Sequence, residues 1–318
     1  MNASPAPSSS LLPAVILMLV CTAVWGSVFP IAKPVLDEMH PLSLAFWRFA
    51  VASVCLLPYL FFMKRSGYPP LTPAHFLLSA CVGIIGAGGL NLGLFTGLQL
   101  TSAMNGALIM SLSPVFTALM ASLVSRKPPA AGLIFSLITG LMGVTLVITR
   151  GDINVLLNID FNRGDLMIFA GVLCWSFYTL ATPWISRWMP VMAFTLLSMI
   201  AGAFTIGLAC LFSVDAHPWQ EMLTLPAHLQ LSALYIGMFA TVMGYLLWNN
   251  GVRTLGAPNA ALFTNFIPVF SALFTLLLGQ PLTDVQLIGM VVVMGGLLTP
   301  VLVRRWQQHQ QNALTPGA

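Results

Sequence analysis

One stretch of the second half of this chain copies a stretch of the first. Residues 94–120 and 248–274 align without a gap at an offset of 154, and ten positions between Gly97 and Leu119 are identical in the two copies. Most of the matches are apolar, and apolar segments resemble one another by chance. The paired Asn (Asn105 and Asn259) and the paired Pro (Pro114 and Pro268) are not explained that way. A fainter echo sets Trp25 against Trp175 at an offset of 150. Each copy needs partners for its apolar surface, so a duplication of this length predicts two like units packed together.

Composition decides where the apolar surface goes. Only 6% of the residues are charged and 58% are hydrophobic, whereas a soluble chain carries about 25% charged residues. Apolar runs of about 20 residues, enough to cross a bilayer as a helix, recur from end to end. The chain is therefore expected to be an all-α integral membrane protein with lipid around it. Ten spans are predicted, at roughly 12–32, 42–63, 75–98, 101–124, 129–149, 165–186, 191–213, 228–252, 256–278 and 284–303. The first run has no basic flank or clear cleavage site and is read as a retained helix. The five Cys all fall in apolar runs without a CxxC pair, and are read as small buried hydrophobes.

Charge sets the sidedness. One side would hold Lys64, Arg65, Arg126, Lys127, Arg187, Arg253, Arg304 and Arg305; the other only Lys33, Arg150 and Arg163. All eight acidic residues fall on that second side, and Arg48 lies within a span. The positive-inside rule then puts both termini in the cytoplasm. Five spans per repeat is an odd number, so the second repeat enters from the opposite side. The expected organisation is a tail at 1–11, a first repeat at 12–149, an external linker at 150–163, an inverted second repeat at 164–303 and a cytoplasmic tail at 304–318. Inverted repeats suit alternating access around a midplane site.

Certain residues resemble a known family. Trp25-Gly26-Ser27 followed by Lys33, Arg48 within Phe46-Trp47-Arg48-Phe49, the two Pro-centred stretches, and Gly164-Asp165-Leu166 followed by Trp175 and Tyr178 are similar to motifs of the drug/metabolite transporter superfamily. The match is to its bacterial ten-helix type with two EamA domains. The resemblance implies a bacterial inner-membrane protein whose first, third, fourth, sixth, eighth and ninth helices line a cavity. It implies that the fifth and tenth lie outside, at a possible homodimer contact. One departure stands out. Where the family often carries an acid after the fourth and ninth helices, this chain has Arg126-Lys127 and Gln280-Pro281.

The candidate substrate-binding residues are Trp25, Asn91, Asn105, Trp175, Tyr178, Tyr245, Asn249 and Asn259. Aromatic walls with amide groups suit a small zwitterionic or amphipathic solute; each of these residues alone reads equally as packing or interhelical glue. Pro114 and Pro268 are candidate hinges, because each leaves a carbonyl four residues earlier, at Met110 and Thr264, without its helix partner. The glycine stripes Gly89/Gly93/Gly97 and Gly237/Gly244/Gly251 are read as close-packing surfaces. Arg48 is read as structural, shallow enough to snorkel.

What is missing also counts. No Asp, Glu or His falls in the middle of a predicted span, which argues against a buried-acid proton relay and dication export. There is no Walker A loop, HExxH or nucleophile–base arrangement. No enzyme activity, cofactor, metal or nucleic-acid partner is expected. The sequence therefore predicts a secondary carrier for a small polar or amphipathic metabolite, best an exporter of an amino acid or derivative. A broad-specificity drug exporter is the alternative, with a membrane enzyme acting on a lipid-linked substrate more distant.

Overall fold

In hydrocarbon every backbone N–H and C=O must be satisfied internally, so an apolar chain without water becomes helical. The computed structural model, which describes residues 11–59, 71–157, 161–297 and 299, follows that rule. No strand occurs among the described residues. Among the described residues eight helices are long and apolar enough to cross a bilayer: α1 (Leu12–Leu36), α3 (Pro73–Leu98), α4 (Met104–Ser125), α5 (Ala131–Thr149), α6 (Arg163–Ile185), α7 (Val191–Phe212), α8 (Ala227–Leu255) and α9 (Ala257–Leu277). Two shorter apolar helices, α2 (Pro41–Leu56) and α10 (Asp284–Leu297), complete the set. The expected far ends of α2 and α10, Lys64, Arg65, Asp160, Arg304, Arg305 and most of both tails lie outside the described residues.

Helix ends follow local chemistry. Thr72 and His75 form a reciprocal cap at the start of α3, and Asn162 and Asp165 do the same for α6. The Ser102 hydroxyl accepts from the Asn105 N–H at 3.0 Å where α4 begins. Gly256 alone joins α8 to α9, at φ +81° and ψ 151°, backbone open essentially only to glycine. α1 runs past the expected residue 32, through Pro30 and Pro34, and places Lys33 in its last turn, where a cation meets the helix carbonyls. An unexpected short helix, Pro218–Thr224, carries Glu221 to the start of α2, where its carboxylate accepts from the His40 N–H and the Ser43 hydroxyl.

The packing repeats with the sequence. α6 lies on α3 and α4, as α1 lies on α8 and α9; α2 lies on α8, as α7 lies on α3. In two further pairs, α2–α7 and α4–α9, each helix packs against its own counterpart. So do α5 and α10, where Gly143 meets Gly289 and the Ser136 hydroxyl donates to the Gly296 carbonyl at 2.6 Å. Exchanging the two halves of the chain maps these contacts onto one another.

The departures from α geometry repeat too. α3 carries a π-helical segment at Ile84–Gly88, and α8 carries one at Ile236–Met243; the offset of 154 lays the first inside the second. α4 breaks at Leu112 (φ −76°, ψ −9°), and α9 departs from α geometry at the matching Phe266 (φ −80°, ψ −15°), after a 3-10 segment at Leu262–Asn265. Each break lies two residues before its proline, the placement expected where Pro removes a donor and crowds the preceding turn.

The glycine stripes do pack closely. Gly89, Gly93 and Gly97 press on Cys174, Met167 and Gly164 of α6, while Gly237, Gly244 and Gly251 meet Val51, Trp25 and Met18. The cysteine reading is half right. Cys21 and Cys210 are buried, but Cys55 and Cys81 are exposed, on helix faces turned away from the packed interior.

Candidate functional site

The centre of the molecule is a cluster of rings from both repeats. Trp25 of α1 and Trp175 of α6, counterparts in the fainter echo, meet edge to face with centroids 5.8 Å apart. Tyr245 and Trp248 of α8 complete the group: Tyr245 lies 6.0 Å from Trp25 and 5.7 Å from Trp175, and Trp248 lies 5.3 Å from each. Tyr178 stacks on Trp175 at 5.4 Å and on Phe194 of α7 at 5.2 Å. Such ring pairs contribute about 0.5–1.5 kcal/mol each beyond their burial.

The π segments explain how the rings come so close. A π turn shifts the backbone hydrogen bonding and leaves carbonyls for other donors. The Trp25 indole donates to the Ala240 carbonyl of the α8 segment at 2.9 Å, and the Thr241 hydroxyl donates to the Ile236 carbonyl at 2.9 Å. Small residues clear the space. A Cβ added to Gly244 would sit 2.2 Å from Trp25 Nε1, and one added to Gly86, in the α3 segment, 2.3 Å from the Tyr178 Cβ.

Polar groups are threaded through the rings. Asn249 is fully buried and donates through Nδ2 to Tyr178 Oη at 3.0 Å and to Thr195 Oγ1 at 2.9 Å. The Tyr178 hydroxyl in turn donates to Ser198 at 3.2 Å. Two polar atoms here have no hydrogen-bond partner: Asn249 Oδ1, an acceptor, and Trp248 Nε1, a donor. A buried polar group without a partner is destabilising by about 1–3 kcal/mol. The two belong to consecutive residues of α8, and the Thr179 hydroxyl of α6, next to Tyr178, is also buried without a partner. Asn91 of α3 donates to the Ala87 carbonyl at 2.9 Å and interacts with Tyr245 at the cluster's edge.

Six of the eight candidate binding residues therefore converge: Trp25, Asn91, Trp175, Tyr178, Tyr245 and Asn249. Asn105 and Asn259 stand apart, each near the start of its helix. Asn105 Nδ2 donates to Thr101 Oγ1 at 3.3 Å, and Thr101 donates to Asp165 of α6 at 2.6 Å. Asn259 is exposed and donates to the Leu255 carbonyl at 2.9 Å. Both reach back four residues, Asn105 to a side-chain hydroxyl and Asn259 to a backbone carbonyl. Pro114 and Pro268 sit beside the matched helix breaks; next to Pro114 the Ser176 hydroxyl of α6 lies 3.1 Å from that of Thr117 and donates to the Ser113 carbonyl at 3.5 Å.

Sequence reasoning passed over Trp248, Phe194, Thr195, Ser198 and Thr241, and it undervalued Arg48. Arg48 does not extend toward a membrane surface. Its Nε donates to Thr241 Oγ1 of α8 at 3.1 Å, its Nη1 donates to Asn91 Oδ1 of α3 at 3.4 Å, and its guanidinium lies 5.5 Å from the Phe49 ring centre. α2 is thus an inner helix at this level. The signal was in the charge pattern: an arginine in a span, in a chain with no acid in the middle of any predicted span to pair with it.

An all-helical membrane fold built of two like halves, with an aromatic and amide cluster where the halves meet, defines a polytopic membrane transport protein. The family model for the EamA-like transporter family matches twice, over residues 12–149 and 162–301, and the chain belongs to that family. It is 31% identical over 306 residues to a protein of Bacillus subtilis (strain 168) named uncharacterized transporter YyaM, covering 94% of this chain and 98% of that one. It is 27% identical to a protein of Salmonella typhimurium named as a probable amino-acid metabolite efflux pump, covering 88% and 92% of the two chains. A solved crystal structure superposes with a TM-score of 0.74 at 16% identity, over 92% of this chain and 98% of that one, which shows the shared fold.

Proposed function

We propose that this protein is a secondary carrier that moves a small polar or amphipathic metabolite, best an amino acid or derivative, outward across a bacterial cytoplasmic membrane by alternating access. The observation that carries the reading is the central cluster. Two repeat-related tryptophans meet there beside a free indole donor and a free amide acceptor. Ring faces would take an apolar side chain, and the free groups would take a polar one. The named activity of the Salmonella relative favours the same class of solute.

In this reading the chain spans the bilayer ten times as two inverted five-helix repeats, with both termini in the cytoplasm. Trp248, Tyr178, Tyr245 and Trp175 are buried while Trp25 is only partly so, and in this reading substrate reaches the buried rings when helices part. The helix breaks before Pro114 and Pro268 are the hinges, and the π segments of α3 and α8 are the surfaces that slide. Asn105 and Asn259, at helix starts that face opposite sides in an inverted pair, belong to the two mouths. Normal flux in both Asn105→Leu and Asn259→Leu would remove them from the pathway.

The test is counterflow in proteoliposomes holding only this protein, with labelled amino acids and related metabolites, with and without a proton gradient. Saturable uptake of one such compound supports the reading. Uptake equally inhibited by chemically unrelated hydrophobic cations would move the protein to the broad-specificity drug exporters, and absence of saturable flux for every compound would overturn a carrier role.

A further inference from the structure

Arg48 carries a charge that the protein leaves unbalanced. Among the described residues no carboxylate lies within ion-pair distance of it; its protein partners are the neutral Thr241 hydroxyl and the neutral Asn91 amide oxygen. A guanidinium has five N–H donors in a planar fork. Two are used here, and Nη2 donates to no protein atom among the described residues. A cation held inside a membrane protein without a counter-charge is strongly unfavourable, and it is kept where function needs it.

The Phe49 ring links the guanidinium to the ring cluster: its centre lies 5.5 Å from the guanidinium carbon and 6.2 Å from the Tyr245 ring centre. Tyr245 shares a side-chain hydrogen bond with Asn91, the amide that accepts from Arg48, and it is also a wall of the cluster, 5.7 Å from Trp175. Along α8, Thr241 and Tyr245 are followed by Trp248 and Asn249, the residues with the free donor and free acceptor. By helical rise these lie on the order of 10 Å from the arginine level. The line runs from a cation, over aromatic faces, to a neutral donor–acceptor pair.

We propose that Arg48 is the anchor for the substrate's carboxylate, so that the cargo is a carboxylate-bearing amphipathic molecule whose apolar body lies over Tyr245, Trp25 and Trp175. This rests on the carrier reading above and adds the chemical group that it selects. Arg pairs with carboxylates through two parallel hydrogen bonds, which fixes orientation as well as charge. The bound carboxylate supplies the counter-charge, so a cargo without one leaves the arginine uncompensated and is rejected.

The experiment compares inhibitors of counterflow in wild-type protein first, so that no variant need fold for a result. The panel holds phenylalanine, 3-phenylpropionate, phenylalaninamide and phenethylamine, with leucine and leucinamide as a second series. Both carboxylates of the first series are expected to compete, with the amide and the amine at least about 30-fold weaker, the scale for losing one side of a buried charge pair. Arg48→Gln is then expected to lose the preference for carboxylates and to compete equally with acid and amide, while Arg48→Lys, a point charge without the fork, keeps part of it. Equal competition by acids and amides in wild type overturns the anchor while leaving an amino-acid carrier standing. An unchanged acid preference in Arg48→Gln does the same. Flux of a compound lacking any carboxylate, with no inhibition by the whole panel, overturns both readings together.

Discussion

At the scale of single residues, the cluster separates groups that hold the protein from groups kept free. Asn249 does both: Nδ2 ties Tyr178 and Thr195 across three helices, while Oδ1 is left open. Trp248→Phe removes the free indole donor and keeps a ring. It is expected to leave thermal stability within about 1 kcal/mol, since no existing hydrogen bond is lost, and to weaken substrate binding measurably in counterflow. Unchanged half-saturation would take Trp248 Nε1 out of the site. Asn249→Leu breaks two hydrogen bonds, each contributing about 0.6–1.7 kcal/mol in a membrane interior. It should lower both the unfolding temperature in detergent and the flux, and normal flux in it would count against the cluster as the binding site.

At the scale of elements, two kinds of helix irregularity recur in both repeats. The π segments bring α1 and α8 into contact through Trp25 and Ala240. Gly244→Ala pushes a methyl into the Trp25 indole, and overpacking of this kind costs about 1–3 kcal/mol. The expected readout is a lower melting temperature and a shifted tryptophan emission. Gly256→Ala offers a contrast, since nothing lies within 4 Å of its added Cβ. Its cost comes from φ +81° alone, of order 1–3 kcal/mol, and should appear in stability without an emission shift. The helix breaks have another signature. Pro114→Ala and Pro268→Ala are expected to straighten α4 and α9 and to slow maximal flux while half-saturation stays near wild type, as for a step in the conformational cycle. A change confined to half-saturation would make the prolines part of the binding surface instead.

At the scale of the whole molecule, the symmetry of the packing bears on orientation. If the halves are inverted in the bilayer, the start of α4 and the start of α9 lie on opposite sides. Single cysteines at the exposed Ser102 and Thr254, in a background without the five native cysteines, are then expected to label oppositely. A membrane-impermeant thiol reagent added outside intact cells should reach Ser102→Cys and miss Thr254→Cys until the cells are opened. Labelling of both from one side would refute the inverted arrangement.

The sequence alone was enough for the helical membrane class, for the duplication, and for six residues that the fold brings together. These are properties of periodicity, solvent and chain identity: an apolar run without water must close its own hydrogen bonds, and duplicated sequence packs as duplicated structure. The matched irregularity near Pro114 and Pro268 was legible for the same local reason. Tertiary structure alone decided the rest. Whether a buried asparagine donates to its own helix, as Asn91 does, or to other helices, as Asn249 does, depends on which neighbour lies opposite. The π segment of α8 is held by a partner more than 200 residues away along the chain, Trp25 on Ala240, and that of α3 packs against Tyr178 and Thr205. Arg48 looked like a surface-seeking side chain because a sequence shows a charge but not its surroundings. Only the meeting of α2, α3 and α8 turned it inward beside the rings, with hydrogen bonds to two neutral groups and no counter-charge.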